Sequence, residues 1–149
     1  MKSILFLCHG NICRSPMAEF VCKQLAGGCD IHIESKAVSR EEIGHPLYPR
    51  AAQTLRQHGV PFGSHRARQI TAGDYDAFDY LVVMEQYNLV RLMHIIRSDP
   101  ANKVYRLLDF TDTPGDIEDP WYSGDFEKVY QQIYAGCAAL LAHIKSTEG

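Results

Sequence analysis

The sequence lacks any apolar run approaching the ~18 residues of a membrane span. Its N-terminal apolar stretch, Ile4 to Leu7, is shorter than the ~7–15 residues of a signal-peptide core. No membrane partner is therefore expected, and a cytoplasmic location is. Excess positive charge is also missing: 15 Lys and Arg stand against 18 Asp and Glu, for a net charge of −3. That balance offers no field for a nucleic-acid partner. The five cysteines (8, 13, 22, 29 and 137) include no C-x2-C pair, and no His-x3-His follows, so no metal site is expected. Their odd number leaves at least one thiol unpaired in a monomer. Cys22, Cys29 and Cys137 are expected to be small buried packing residues. Repeats, low-complexity tracts and linkers are absent too, which points to a single domain over 1–149.

What is present alternates between short apolar runs and helical periodicity, the pattern of an α/β fold with a parallel sheet. Ile4 to Leu7 is continuously apolar, as a strand covered on both faces should be. Met17, Phe20, Val21, Gln24 and Leu25 follow a helical spacing that Gly27-Gly28 ends. Ile31 and Ile33 alternate with polar residues, which suits a strand nearer the sheet edge. A helix over Pro49 to His58 stops at Gly59. Tyr80 to Met84 reads as the third strand, Asn88 to Arg97 as the helix after it, and Val104 to Leu108 as the fourth strand. Phe126, Val129, Tyr130, Ile133, Tyr134, Cys137, Leu140, Leu141 and Ile144 form the core stripe of a long last helix. Before it, about fifteen residues from Asp109 to Ser123 show no period, and such a loop is more often functional than idle.

Strand one ends at Cys8, and Ser15 with Pro16 suits a helix start. The residues between, His9-Gly10-Asn11-Ile12-Cys13-Arg14, wrap over the sheet edge where open α/β folds bind ligands. A helix N-terminus offers unpaired N–H groups and partial positive charge, and a tight loop can turn its amides into a nest for an oxyanion. Gly10 and Asn11 tolerate the positive φ such a loop needs. Arg14 adds a planar fork matched to two phosphate oxygens. The same field favours the Cys8 thiolate, which beneath a bound phosphate is set for in-line attack and a phosphocysteine intermediate.

Such a step expels an alkoxide or phenolate, so a general acid is needed. Asp119, followed by Pro120, Trp121 and Tyr122, is one candidate; Asp112, Asp116 and Asp125 lie nearby. No metal or cofactor is required, since Arg14 and the amide nest can carry the developing charge.

The chain resembles the low-molecular-weight protein tyrosine phosphatases. The resemblance rests on Cys8-His9-Gly10-Asn11-Ile12-Cys13-Arg14-Ser15-Pro16-Met17-Ala18-Glu19, on Asp119-Pro120 with its aromatics, and on His58-Gly59, His65 to Gln69, Phe78 to Tyr80 and Phe126 to Tyr130. It implies a four-stranded parallel sheet flanked by helices on both faces, with the phosphate-binding loop after strand one. It implies a metal-independent enzyme with Cys8 as nucleophile, Arg14 as phosphate binder and Asp119 as acid then base. It implies substrate contacts from His9, Gly10, Asn11, Ile12, Cys13, Trp121 and Tyr122. Ser15, Ser35 and His65, with Asn11, would hold the loop in shape. The implied partner is a phosphotyrosine-bearing protein, a tyrosine kinase being one candidate, and the enzyme would be a monomer or weak dimer.

Several positions depart from the family pattern. His9 stands where Leu is common, Glu41 and Glu42 where an aromatic often sits, and Trp121 in place of the first of two tyrosines. Cys13 keeps its place in the loop, where a reversible Cys8–Cys13 disulfide would shield the nucleophile. Arsenate reductases of this fold need further downstream cysteines, and none lies between 29 and 137. Protein-arginine phosphatases typically carry Thr where this loop has Ile12. A non-catalytic phosphopeptide binder could dispense with Cys8 or the acid, and both are present.

Overall fold

The computed structural model describes residues 1–148. In chain order the elements are β1 (Lys2–Cys8), α1 (Arg14–Ala26), β2 (Ile31–Ala37), α2 (Pro49–Gln57), α3 (Asp74–Ala77), β3 (Tyr80–Val83), α4 (Gln86–Ile96), β4 (Val104–Arg106), α5 (Pro120–Ser123) and α6 (Phe126–Glu148). The four strands pair in parallel in the order β2-β1-β3-β4, so β1 is central and the loop after it opens at the middle of the sheet edge.

Strand β1 is buried on both faces, as its unbroken apolar run requires. Ile4 and Phe6 pack with α1 and α6, through Met17, Val21, Val129 and Ile133. Leu5 and Leu7 face the other way, into a smaller cluster with Leu81, Val83 and Leu92 of α4. Strand β2, at the edge, shows the alternation that Ile31 and Ile33 announced. The stripe of α6 is buried except for Tyr134, which is exposed on the flank. Among the described residues no helix is long and apolar enough to cross a membrane.

Four sequence expectations shift. Helix α1 starts at Arg14 with Cys13 at its N-cap and no side-chain cap, because the Ser15 hydroxyl turns inward to the loop. The fourth strand ends at Arg106, and Leu107–Phe110 tighten into a 3-10 turn that drives Leu107 against α6. Within the unpatterned segment, Pro120–Ser123 form a short helix. Cys29 is exposed, since it falls in the turn between α1 and β2 rather than on a packed face, whereas Cys22 and Cys137 are fully buried.

Candidate active site

The loop after β1 is built around the sulfur of Cys8. The Asn11 N–H points at Sγ from 3.3 Å and the Ser15 N–H from 3.4 Å, while the Ser15 hydroxyl lies 3.0 Å away. Hydrogen bonds of this kind favour negative charge on the atom that receives them. Asn11 sits in the left-handed region at φ 60°, where its short polar side chain is tolerated. Its Nδ2 donates to Ser15 Oγ at 2.8 Å, and its Oδ1 accepts from the Arg68 N–H at 3.2 Å. His65 Nε2 donates to the Asn11 carbonyl at 2.7 Å, so His65 does brace the loop. Ser35 does not reach it; its hydroxyl binds Glu19 on α1 at 2.6 Å.

The guanidinium of Arg14 is 2% exposed and held from three sides. It donates to the Ile117 carbonyl at 2.9 Å and to Glu85 at 3.0 Å, and Asp119 Oδ2 lies 3.5 Å away. Burial works against its charge, but Cys8, Glu85 and Asp119 outweigh that cost and raise its pKa above the ordinary value. Burial pushes the Cys13 thiol the same way, the charges of Cys8 and Asp119 add to it, and Arg14 opposes. Cys13 therefore stays a neutral thiol in the folded protein.

Asp119 is presented by α5. Its Oδ1 accepts the Trp121 N–H at 3.0 Å, capping the helix, and Oδ2 is left toward Arg14. The neighbouring aspartates are engaged elsewhere or turned away. Asp116 binds Gln86 N and Arg106, and Asp125 caps α6 through Lys128 N. Asp119 alone of the four lines the cleft.

That cleft, about 530 Å³, gathers Cys8, His9, Gly10, Ile12, Cys13 and Arg14 with Asp119, Trp121 and Tyr122. Asn11 has no surface there, because its side chain is buried beneath the loop. Trp121 and Tyr122 are exposed at the rim, and the Tyr48 ring packs against Trp121 at a tilt of 59°, centroids 5.1 Å apart. Glu41 and Glu42 line the cleft as their place in the sequence suggested, and Glu85 and Tyr87, which were not anticipated, line it too. Glu85 and Tyr87 follow β3 at the same sheet edge as the loop, a position that marks them for a ligand-binding role.

Residues 3–148 match the model of the family described as low molecular weight phosphotyrosine protein phosphatase. The chain is 38% identical to the low molecular weight protein-tyrosine-phosphatase YfkJ of Bacillus subtilis, over 97% of both chains. The crystal structure of YfkJ superposes with a TM-score of 0.95, covering 100% of this chain and 98% of that one. A human low molecular weight phosphotyrosine protein phosphatase is 42% identical over 94% of each chain. The crystal structure of DARP, a Drosophila arginine phosphatase, is 34% identical with a TM-score of 0.86, covering 97% of this chain and 98% of that one. The chain belongs to the low molecular weight phosphotyrosine protein phosphatase family.

Proposed function

We propose that the protein hydrolyses phosphotyrosine in protein substrates through a phosphocysteine on Cys8. The thiolate attacks phosphorus in line, the P–O bond to the tyrosine breaks, and Asp119 gives its proton to the departing phenolate oxygen. Water then attacks the phosphocysteine, Asp119 takes its proton, and phosphate leaves with the thiolate restored. Arg14 and loop amides of His9, Gly10, Ile12 and Cys13 hold the equatorial oxygens, while the Asn11 N–H stays on Cys8 Sγ. Trp121 and Tyr122 flank the aryl ring, while Ser15 and His65 hold the loop. Ser35 instead ties β2 to α1 through Glu19. The chain acts as one catalytic domain, and its five free cysteines suit a reducing, cytoplasmic setting.

One observation carries this reading: two backbone N–H donors and the Ser15 hydroxyl converge on Cys8 Sγ in a cleft that also holds Arg14 and Asp119. The test is hydrolysis of an aryl phosphate by wild type, Cys8→Ser and Asp119→Asn, without added metal. Activity vanishes in the first variant and falls by about 10²–10⁴ in the second. Undiminished turnover by Cys8→Ser overturns the mechanism. Likeness to an arginine phosphatase makes phosphoarginine the second substrate to assay, beside phosphotyrosine and phosphoserine peptides. Ile12 in the loop supports phosphotyrosine.

The buried Cys13 thiol beside Cys8 supports reversible redox protection. Peroxide would convert the Cys8 thiolate to a sulfenic acid, and Cys13 would condense with it, releasing water and leaving a disulfide. Recovery with dithiothreitol and a Cys8–Cys13 linked peptide in mass spectrometry are the expected results.

A further inference from the structure

One wall of the cleft is acidic, and nothing in the chemical steps above uses it. Glu41 and Glu42 both line the cleft, Glu41 with its side chain 68% exposed. Neither carboxylate hangs free. Glu41 Oε2 meets His9 Nε2 of the phosphate loop at 2.8 Å. Glu42 bonds His45, and its stem lies on the loop so closely that a Cβ at Gly10 would stand 3.0 Å from Glu42 Cγ. The loop itself thus fixes where these two charges stand.

Among the described residues no Lys or Arg at the rim balances them, and their partners are the imidazoles of His9 and His45. Arg14 is the lone Lys or Arg among the residues lining the cleft, and its buried guanidinium is engaged by Glu85 and Asp119 at the floor. Arg40 precedes the acidic pair in sequence but does not line the cleft. The aromatics that line the cleft are Tyr87, Trp121 and Tyr122, with the Tyr87 ring 6.3 Å from that of His9. A phosphotyrosine seated on Cys8 would bring the residues flanking it near the Glu41 and Glu42 carboxylates that line the same cleft.

We propose that Glu41 and Glu42 select phosphotyrosine segments carrying Lys or Arg beside the phosphotyrosine and reject those flanked by acidic residues. This rests on the phosphotyrosine phosphatase reading above and names the substrate subset of that same site. Like charges facing each other at an interface exclude wrong partners, while opposite charges speed encounter. Each exposed pair contributes little, about two- to fivefold in kcat/KM. Two acting together give about tenfold between a Lys-flanked and a Glu-flanked peptide.

The experiment compares kcat/KM for two phosphotyrosine peptides of equal length, one with Lys and one with Glu on both sides of the phosphotyrosine. Wild type prefers the Lys peptide by about tenfold at low salt, and the preference shrinks as ionic strength rises. Glu41→Gln with Glu42→Gln brings the ratio to within about twofold of unity, and Glu41→Lys with Glu42→Lys inverts it. Because the ratio is read on each variant, a general loss of activity cancels. Equal turnover of both peptides by wild type, or a ratio that the variants leave in place, overturns the acidic-wall proposal alone. Failure of wild type to release phosphate from either peptide or from 4-nitrophenyl phosphate overturns the phosphatase reading instead.

Discussion

Arg14 Nη2 stands 3.0 Å from Glu85 Oε1, tying the first turn of α1 to the N-cap of α4. The pair is largely buried, with Arg14 at 2% and Glu85 at 22% exposure. Together with the Ile117 carbonyl it fixes the plane of the guanidinium before a phosphate arrives. A planar donor set in advance loses little freedom on binding, and that preorganisation is what a transition-state clamp requires.

Glu85→Gln keeps a hydrogen-bond acceptor and removes the charge. A hydrogen bond to a charged group contributes about 1.5–3 kcal/mol, so kcat/KM for an aryl phosphate should fall roughly ten- to a hundredfold. Inhibition by inorganic phosphate should weaken in parallel, because the same clamp holds product. Unchanged phosphate inhibition would show that Arg14 is oriented without Glu85.

Asn11 has two separable duties: it occupies a left-handed backbone position and it links Ser15 to Arg68. Both Asn11→Ala and Asn11→Gly lose the two side-chain bonds, but only alanine also meets the steric cost of φ 60°. That cost is about 1–2 kcal/mol. Denaturant unfolding should therefore rank wild type above Asn11→Gly, and Asn11→Gly above Asn11→Ala, provided the loop keeps its shape. Equal stability of the two variants would mean that the loop relaxes out of the left-handed conformation.

Much of this architecture was legible in the chain because it rests on local chemistry. The apolar run Ile4 to Leu7, the periodic stripe of α6 and the phosphate-loop residues each announce their element without tertiary information. Asp119 was harder. Its distinction from Asp112, Asp116 and Asp125 lies in which carboxylate α5 turns toward Arg14, and spacing does not encode that. Glu85 is marked only by its place after β3 at the same sheet edge as the loop, and one Glu after an apolar strand has many uses. The start of α1 was misplaced because Ser15 satisfies a cap pattern while its hydroxyl is spent on Cys8. The apparent continuation of β4 through Leu108 reflects an apolar pair that a 3-10 turn buries equally well.

The cysteines should differ sharply in reactivity. Cys13 is pushed up by burial first and by the charges of Cys8 and Asp119 after it. A raised thiol pKa leaves the protonated form dominant at pH values where an ordinary thiol has ionised. Iodoacetamide should label Cys8, which lines the cleft, and the exposed Cys29 in the native protein. Cys13, Cys22 and Cys137 should remain unmodified until the chain unfolds, as peptide mapping would reveal. Inorganic phosphate should protect Cys8 and leave labelling of Cys29 unaffected. Prompt native-state labelling of Cys13 would contradict a thiol pKa raised there.

Gly136 is the point where α6 accepts the 3-10 turn that follows β4. An added Cβ would lie 2.5 Å from Leu107 Cγ and 3.0 Å from Leu107 Cδ2, and Leu107 is fully buried. Alanine in a helix interior is ordinarily favoured over glycine by about 1 kcal/mol. Here overpacking costs about 1–3 kcal/mol, so it outweighs that gain and Gly136→Ala should lower the melting temperature. Leu107→Ala alone should destabilise by about 2–5 kcal/mol through the cavity it leaves. The double variant places the new methyl in that space, and its loss of stability should be smaller than the sum of the two single losses. Simple additivity in the double-mutant cycle would show that the two residues do not compete for the same volume.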